Sequence, residues 1–319
     1  MKTVLVTGGA GFIGSNLADA LLAQNYRVVI LDNLSTGKKE NVPAKAIFCQ
    51  ADVRRKSEVD AIFKKYTPDV VFHIAGQAST ISSFMDPSAD TQVNFIGTMN
   101  VVLSCLKHKV PRLLYASSMT VYGHPRQLPI AESHLCRPIS YYGITKYAAE
   151  RFVHATSERN DLKTPLAVTS FRMFNVYGPR QGLTNPYQGA MAIFIGNVLR
   201  GDPVIIFGDG KQSRDFIYID DVARAWIGAI DNPKSFGYAF NLGWGRMISI
   251  NDLVHSIIKA LGKNPAKYPI KYRKARPGDQ RFMEADISLA RRLLAYKPAI
   301  TFGQGLKQTV AWATNYFNQ

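Results

Sequence analysis

Apolar runs alternate with amphipathic segments along the first half of the chain. The apolar runs predict strands at residues 4–6, 27–31, 69–74, 113–117 and 166–173. The segments between them predict helices at residues 15–23, 57–66, 91–108 and 142–157. Continuous apolar strands separated by helices are typical of a parallel sheet that is covered on both faces. The pattern therefore predicts an α/β fold built on a doubly wound parallel sheet, a Rossmann fold.

The character of the sequence changes after residue 175. Residues 177–189 are rich in Gly, Pro and polar side chains, which predicts a loop. Shorter elements follow: a helix at 191–200, a strand at 204–207, and helices near 250–261 and 287–294. We predict that residues 1–175, completed by a later segment near 212–232, form the doubly wound domain. Residues 176–319 would mainly form a smaller, mixed α/β substrate domain.

The chain is strongly basic, with 39 Lys and Arg against 23 Asp and Glu and a net charge of +16 at pH 7. These cations are scattered, and short clusters such as 54–56 fit a solvated surface. No base-stacking motif accompanies them, so we expect no specific nucleic-acid binding. No apolar run is long enough to predict a membrane span. The sequence also shows no charged leader of the kind that predicts a signal peptide. Three widely spaced cysteines predict reduced thiols in the cytoplasm rather than disulfides or a metal site.

A glycine-rich turn follows the first predicted strand. Gly8, Gly11 and Gly14 recur at intervals of three residues, with Phe12 and Ile13 between the last two. Glycines in such a turn let backbone amides approach a pyrophosphate at the N-terminus of the next helix. The motif predicts a dinucleotide-binding site in the doubly wound domain.

An acidic residue at the end of the second strand identifies the dinucleotide. Asp32, followed by Asn33, lies about twenty residues after the glycines, where a carboxylate accepts hydrogen bonds from the adenosine ribose and repels the 2′-phosphate of NADP. NAD is the predicted cofactor, while Lys38 and Lys39 nearby leave NADP open. We expect four further residues beside the cofactor, two at the adenine and two after the third strand: Asp52, Val53, Ala75 and Gly76.

Tyr142 and Lys146 lie four residues apart on a predicted helix, so their side chains share one face. A free phenol is a poor base at neutral pH. We expect Lys146 and a positively charged nicotinamide to lower the pKa of Tyr142, and Lys146 also to hold the nicotinamide ribose. Ser118, at the end of a predicted strand, would hydrogen-bond the same substrate oxygen. The arrangement predicts proton and hydride transfer at a secondary alcohol.

Seven segments spread along the chain carry motifs of one protein family: 7–14 (TGGAGFIG), 31–34 (LDNL), 117–123 (SSMTVYG), 142–146 (YGITK), 174–180 (FNVYGPR), 208–215 (GDGKQSRD) and 276–279 (RPGD). With them the chain resembles the extended short-chain dehydrogenases/reductases of the NAD-dependent epimerase/dehydratase group, and most of all the UDP-sugar 4-epimerases. The resemblance implies an isomerase in which NAD oxidises a UDP-sugar at C4. The 4-keto sugar would then rotate and take the hydride back on its other face.

The resemblance also implies roles for single residues. Tyr142 would be the acid and base at the C4 hydroxyl, Lys146 its electrostatic partner, and Ser118 a relay. Asn94 and Phe174 would support the cofactor. The residues implied at the UDP-sugar, in addition to Ser118, are Thr120, Asn175, Phe207, Arg214, Arg276, Asp279 and Met283. Among these, Arg214 and Arg276 would clamp the diphosphate and Asp279 would hold the uridine ribose.

The residues after Ser118 separate the reactions of this family. The 4,6-dehydratases that the chain resembles carry an Asp-Glu pair there, and the sugar-acid decarboxylases usually carry a Glu. Met119 and Thr120 stand at these positions and cannot act as an acid or base. The reading that remains is 4-epimerisation, which needs neither group.

The sequence leaves more than one UDP-sugar open as the substrate. Met283 falls where the epimerases limit the room around the sugar, and its intermediate size favours UDP-glucose and UDP-galactose while leaving UDP-glucuronate and UDP-N-acetylhexosamines as alternatives. Another sugar-nucleotide oxidoreductase also stays open. The alternative outside enzymes is an NAD-binding scaffold or RNA-binding protein. The resemblance further implies a homodimer that pairs through helices 91–108 and 142–157.

Overall fold

The computed structural model describes residues 1–184, 189–275 and 279–318. Its strands are β1 (Thr3–Thr7), β2 (Arg27–Asp32), β3 (Ile47–Gln50), β4 (Val70–His73), β5 (Arg112–Ser118), β6 (Ala167–Met173), β7 (Asn175–Tyr177), β8 (Val204–Phe207), β9 (Ser213–Tyr218), β10 (Tyr238–Leu242), β11 (Met247–Ser249), β12 (Ile270–Arg273) and β13 (Phe282–Met283). Its helices are α1 (Phe12–Ala23), α2 (Lys56–Tyr66), α3 (Thr80–Met85), α4 (Pro87–Thr91), α5 (Gly97–Lys107), α6 (Tyr141–Ser157), α7 (Ala190–Arg200), α8 (Ile219–Gly228), α9 (Ile250–Ala260), α10 (Ser288–Leu294) and α11 (Phe302–Phe317). None of these described helices is long and apolar enough to cross a membrane.

A parallel sheet dominates the described part of the chain, with its seven strands in the order β10-β6-β5-β4-β1-β2-β3. Alternate residues of β1 enter two hydrophobic clusters on opposite faces of this sheet. Val4 and Val6 pack with Leu17 of α1, whereas Leu5 packs with Phe63 of α2. Because both faces are covered, the strands are continuously apolar. The predicted doubly wound α/β fold is confirmed.

The strand order reverses at β1, which has β2 on one side and β4 on the other. In open parallel sheets a crevice forms at such a point, beyond the carboxyl ends of the strands. The predicted site residues follow β1, β2, β4 and β5 at this edge. The topology therefore gathers segments that are far apart in the sequence.

The second half of the chain builds smaller sheets. Strand β9 pairs with β7, β11 and β13, and β8 pairs with β12. Helices α7, α9 and α11 pack against one another beside them. The later segment that completes the large sheet differs from the prediction. It is β10, at Tyr238–Leu242, whereas the predicted segment 212–232 contains β9 of a small sheet and α8, which packs on α1.

The helix predicted at 91–108 begins earlier and is interrupted. It starts as α4, continues through a π-helical segment at Gln92–Ile96, and becomes α5. A π turn places one extra residue in the turn, and such turns are frequent at functional sites. This segment directs Asn94 into the protein, where it is fully buried.

Candidate active site

The turn after β1 brings backbone segments very close together. Gly8 has a φ of +70°, and a Cβ there would lie 2.7 Å from the amide nitrogen of Ala75. A Cβ on Gly14 would lie 2.2 Å from the carbonyl oxygen of Gly8. Helix α1 begins after Gly11 without a side-chain cap. The N–H groups of its first turn therefore remain available to an anion such as a phosphate.

A cavity lies over this turn, at the carboxyl ends of β1, β2 and β4. The predicted cofactor residues in its wall are Gly8, Gly11, Phe12, Ile13, Gly14, Asp32, Asn33, Asp52, Val53, Ala75 and Gly76. The glycine-rich turn that can bind phosphates and the Asp32 carboxylate that can bind a ribose line the same cavity. These residues fit a dinucleotide such as NAD.

Asp32 is fixed at one end of the cavity by backbone donors. Its Oδ2 accepts a hydrogen bond from the N–H of Ala10 at 3.0 Å, and its Oδ1 accepts one from the N–H of Leu34 at 2.8 Å. Each carboxylate oxygen can accept more than one hydrogen bond. Asp32 therefore retains acceptor capacity for the hydroxyl groups of a ribose.

The two lysines that left NADP open are both engaged by aromatic side chains. Lys38 Nζ contacts the hydroxyl of Tyr316 and lies 3.5 Å from Glu40 Oε1. Lys39 Nζ lies 3.4 Å from the centre of the Phe48 ring. Neither lysine belongs to the cavity wall as the described residues form it. With neither lysine in the wall, the carboxylate of Asp32 favours NAD over NADP.

Arg54 lines the same cavity, although its sequence context indicated a solvated surface. Its Nη2 lies 2.6 Å from Asp52 Oδ2, and Asn33 Nδ2 donates to the same oxygen at 3.0 Å. The hydrogen bonds from Arg54 hold the pKa of Asp52 well below its usual range. A cluster of basic residues in a sequence does not show that one of them faces a carboxylate in a cavity.

Two predicted cofactor residues lie behind the cavity wall. Asn94 Oδ1 accepts a hydrogen bond from the N–H of Gln77 at 2.9 Å, and a Cβ on Gly76 would lie 2.9 Å from the same oxygen. Asn94 thus holds the wall in place from inside the protein. Phe174 is a residue of the hydrophobic core, and its N–H donates to the carbonyl oxygen of Leu242 at 2.9 Å. The structure therefore shows no cavity contact for either.

Ser118 and Tyr142 come together where α6 begins against the end of β5. The Oγ of Ser118 accepts hydrogen bonds from Thr120 N at 3.2 Å and from Thr120 Oγ1 at 3.0 Å. Ser140 caps α6 by accepting from the N–H of Gly143, and a Cβ on Gly143 would lie only 2.8 Å from the carbonyl oxygen of Thr120. This close packing brings the hydroxyl of Ser118 near Tyr142, where it acts to lower the pKa of the phenol.

The proton equilibria of Tyr142 and Lys146 differ from the sequence expectation. Burial raises the pKa of Tyr142, the hydrogen bond with Ser118 opposes this rise, and the charge of Asp90 adds to it. Burial lowers the pKa of Lys146 to about 7, against the opposing charges of Asp90 and Glu150. The expected lowering of the Tyr142 pKa is not produced by the protein's own groups, because burial dominates at both residues.

Lys146 faces the cofactor cavity. Its Nζ lies 4.4 Å from the centre of the Tyr115 ring and would lie 3.8 Å from a Cβ on Gly76. Within the described part of the chain, this ammonium takes part in none of the salt bridges. It is therefore available to hydroxyl groups of a bound molecule.

A second cavity meets the first at Ala78, which lines both. The predicted substrate residues in its wall are Thr120, Asn175, Phe207, Arg214 and Asp279, whereas Arg276 lies outside the described residues. Thr120 hydrogen-bonds Ser118. Ser118, Tyr142 and Lys146 are not among the described residues that line either cavity, but they lie next to the junction: Thr120 in the second wall contacts Ser118, and Gly76 in the first wall lies beside Lys146.

Arg214 and Asp279 form an ion pair on this wall. Burial lowers the pKa of Arg214, and the charge and hydrogen bond of Asp279 oppose that change. Guanidinium groups bind phosphate oxygens as well as carboxylates. A diphosphate in this cavity would compete with Asp279 for Arg214.

Met283 does not line the cavity, which corrects its assignment as the residue that limits room for the sugar. It is fully buried on β13, where it is paired with Arg214 of β9, and it belongs to the hydrophobic core. Met119 lines the cavity instead, with its Sδ 3.7 Å from Asn175 Nδ2. Met119 is therefore the methionine that can contact a sugar beside Ser118.

Two glutamines of the second cavity were not predicted as site residues from the sequence. Gln280 Nε2 donates to the carbonyl oxygen of Gly123, and Gln212 Nε2 donates to that of Phe207 at 2.6 Å. The Oε1 atom of Gln212 has no hydrogen-bond partner among the described residues. Gln212 lies within the segment 208–215 and Gln280 directly follows the segment 276–279, but the sequence does not show that the fold places their side chains in this cavity.

The sequence profile of the NAD dependent epimerase/dehydratase family matches residues 4–243. The UDP-glucose 4-epimerase of Thermotoga maritima, solved with UDP-glucose, is 36% identical, covers 98% of this chain and 99% of its own, and superposes with a TM-score of 0.93. The UDP-glucose 4-epimerase of Thermus thermophilus, solved with NAD, is 35% identical, covers 98% of each chain and has a TM-score of 0.89.

A relative named for a different sugar is similar over the same length. The UDP-glucuronate 4-epimerase of Thermodesulfobacterium geofontis is 32% identical over 331 residues, which cover 98% of this chain and 96% of the relative. The predicted nicotinamide-dependent enzyme with NAD as its cofactor is confirmed at the level of the family. The chain belongs to the NAD dependent epimerase/dehydratase family.

Proposed function

We propose that this protein catalyses the 4-epimerisation of a UDP-hexose, with UDP-glucose and UDP-galactose as its preferred substrates. The observation that carries the proposal is the position of Ser118, which is hydrogen-bonded to Thr120 and close to Tyr142, next to the junction of a dinucleotide cavity and a second cavity that contains Arg214. NAD, when bound, supplies the hydride acceptor and donor. A sugar in the second cavity would present its C4 to the first.

Tyr142 takes the proton of the C4 hydroxyl during oxidation and returns it during reduction. In this proposal Ser118 hydrogen-bonds both Tyr142 and the same substrate oxygen, so it aligns the proton path and stabilises developing negative charge. Lys146 holds ribose hydroxyls and supplies a positive charge near the phenol. Rotation of the 4-keto sugar between the two half-reactions inverts C4.

The chemistry of the second cavity favours epimerisation over elimination or decarboxylation. Met119 and Thr120 follow Ser118, and neither can act as a second acid or base. Among the described residues of the cavity wall, the carboxylate is that of Asp279. It forms an ion pair with Arg214 rather than lying beside Ser118. The groups next to this wall that can transfer a proton at one carbon are therefore Tyr142 and Ser118.

The charge of the wall favours a neutral hexose. Arg214 is the cation that the described residues contribute to this wall, and the groups beside Ser118 are hydroxyls and apolar side chains such as Thr120, Met119 and Ile139. A uronate would bring a carboxylate to a wall whose described cation, Arg214, is already paired with Asp279. UDP-glucuronate and the UDP-N-acetylhexosamines are therefore the alternatives that the experiment must separate.

The test incubates the purified protein with UDP-glucose, UDP-galactose, their N-acetyl forms and UDP-glucuronate in separate reactions followed by NMR. We expect interconversion of UDP-glucose and UDP-galactose to an equilibrium ratio, at the highest rate of the set. Tyr142→Phe serves as the control, because it keeps the ring and loses the proton-transferring hydroxyl. A faster reaction of another pair would assign that sugar, and no conversion of any sugar by the NAD-loaded protein would overturn the proposal.

We also propose that the protein is a homodimer located in the cytoplasm. Apolar side chains are exposed on α3, α5 and α6: Phe84, Met85, Leu103, Tyr141 and Ile144. A surface of this kind is typical of a protein interface. Light scattering should give twice the mass of one chain, and Leu103→Asp with Ile144→Asp should halve it. Free cysteines throughout the chain support a reducing compartment.

A further inference from the structure

Asp90 lies beneath the catalytic helix and is 1% exposed. Its Oδ2 accepts a hydrogen bond from Thr145 Oγ1 at 2.5 Å. Its Oδ1 accepts from Gln77 Nε2 at 2.8 Å and from Asn94 Nδ2 at 3.1 Å. All three donors are neutral, and none of the salt bridges of the described residues includes Asp90. A buried carboxylate held only by neutral donors keeps its electrostatic influence on nearby groups.

The three partners of Asp90 connect it to both sides of the site. Thr145 lies on α6 between Tyr142 and Lys146. Gln77 follows Gly76 in the wall of the cofactor cavity. A single side chain on α4 thus ties the helix that carries both proton-transferring groups to the loop that faces the cofactor.

Asp90 is also the carboxylate near Lys146 that has no ion-pair partner among the described residues. Glu150 is the other carboxylate that acts on Lys146, but it is paired with Arg172 at 2.6 Å. Asp90 supports the protonated form of Lys146 against burial and raises the pKa of Tyr142. Removing this negative charge would lower both pKa values.

The remaining titratable groups around this cluster stay neutral near neutral pH. His73 on β4 is held between Thr7 Oγ1 at 2.7 Å and Thr98 Oγ1 at 2.9 Å, and burial lowers its pKa to about 3. Burial raises the pKa of Tyr115 on β5 well above its ordinary value. With Glu150 paired to Arg172, the balance near neutral pH involves Asp90, Tyr142 and Lys146.

We propose that Asp90 is a positioning residue that sets the proton balance between Tyr142 and Lys146 and holds Thr145 and Gln77 in register with them. This inference rests on the proposed function, because it concerns the same proton transfer. It assigns Asp90 no contact with substrate or cofactor.

The test compares the pH profiles of kcat/KM for the NAD-loaded wild type and Asp90→Asn. Asparagine keeps the shape and an acceptor oxygen but removes the charge. We expect both limbs of the profile to move to lower pH by roughly one unit, the size of a single-charge effect at short range. Asp90→Glu should return both limbs towards their wild-type positions. Asp86→Asn, an exposed residue that caps the same helix, should leave the profile unchanged.

A second variant separates charge from geometry. Thr145→Val removes a hydrogen bond of Asp90 without changing any charge, so it should lower the rate at every pH while both limbs stay in place. If Asp90→Asn lowers the rate but leaves both limbs of the pH profile in place, Asp90 does not set the proton balance and the proposal is overturned. If Asp90→Asn does not fold, movement of either limb in Thr145→Val would overturn it as well.

Failure of the proposed function gives a different result. A wild type without epimerase turnover would contradict the proposed reaction but not the electrostatics. The pKa of Lys146 can then be followed by NMR of lysines labelled at 13Cε in wild type and Asp90→Asn. A lower Lys146 pKa in the variant supports the inference, and an equal one contradicts it.

Discussion

Arg172 on β6 and Glu150 on α6 form a buried ion pair, in which Arg172 Nη2 lies 2.6 Å from Glu150 Oε1. The Nε of Arg172 donates to both oxygens of the same carboxylate, at 3.1 and 3.2 Å. Tyr122 accepts a further hydrogen bond from Arg172 Nη1 at 3.0 Å. Glu150 lies one helical turn after Lys146, so this pair joins α6 to β6, the strand next to the edge strand β10 of the large sheet.

Glu150→Gln should strongly destabilise the fold. It leaves Arg172 buried with its charge uncompensated, which typically costs about 3–5 kcal/mol. The free energy of unfolding from urea titration at pH 7 measures the change. Asp161→Asn is the matched control, because it removes a carboxylate from an exposed pair with Arg159 and should leave stability unchanged. Equal effects of both substitutions would contradict a special role for the buried pair.

The same carboxylate should make stability depend on pH in the acid range. Burial acts to raise the pKa of Glu150, but the hydrogen bond and charge of Arg172 outweigh it, so the pKa lies below its ordinary value of 4.5. Its contribution is therefore fully present above pH 4.5 and is lost as the pH falls through the folded-state pKa. Urea titrations between pH 7 and pH 3 should show a shallower decline for Glu150→Gln than for wild type. Parallel declines would exclude Glu150 as a source of acid sensitivity.

Gly14→Ala should abolish NAD binding and weaken the fold. Its Cβ would lie 2.2 Å from the carbonyl oxygen of Gly8, a backbone atom that cannot move without opening the turn. Gly303→Ala is the control, because a Cβ on this exposed residue of α11 meets nothing within 4 Å. Alanine is favoured over glycine within a helix by roughly 0.5–1 kcal/mol, so Gly303→Ala should stabilise slightly. NAD content and thermal unfolding report both outcomes, and a Gly14→Ala protein that retains NAD would contradict the steric argument.

Both central motifs could be predicted from the sequence because each is local. The distances between Gly8, Gly11 and Gly14 follow from one strand, one turn and one helix, and the distance between Tyr142 and Lys146 follows from one helical turn. The interior strands were also found, since a strand covered on both faces is apolar throughout. These features need no information on distant parts of the chain.

The structure differs from the sequence predictions where segments that are distant in the chain pack together. Strand β10 joins β6 across more than sixty residues, and the two-residue strand β13 carries no periodicity of its own. The burial of Met283 and the position of Asn94 behind Gly76 both depend on such long-range packing. The pKa of Tyr142 is set by its burial, which the spacing to Lys146 does not contain. Sequence patterns predict the residues of the candidate site, and tertiary packing determines their burial and proton equilibria.

Asp32→Ala should relax the preference for NAD over NADP. A hydrogen bond to a charged group contributes about 1.5–3 kcal/mol, so losing one should weaken NAD binding roughly ten- to hundredfold. NADP should be weakened less, because the repulsion of its 2′-phosphate disappears too. Binding constants of both cofactors for wild type and variant measure the ratio. An unchanged ratio would show that the ribose does not lie against Asp32.

Met119 and Met283 should have opposite effects when shortened to alanine. Met283 is fully buried, so Met283→Ala should destabilise the protein by about 2–5 kcal/mol and leave the relative rates on UDP-glucose and UDP-N-acetylglucosamine unchanged. Met119 lines the second cavity, follows Ser118 in the chain and is only partly buried. Met119→Ala should therefore cost less stability and raise the relative rate on the larger sugar. Urea titration and competition assays with both sugars separate the two effects, and a changed sugar preference in Met283→Ala would place that residue back at the sugar.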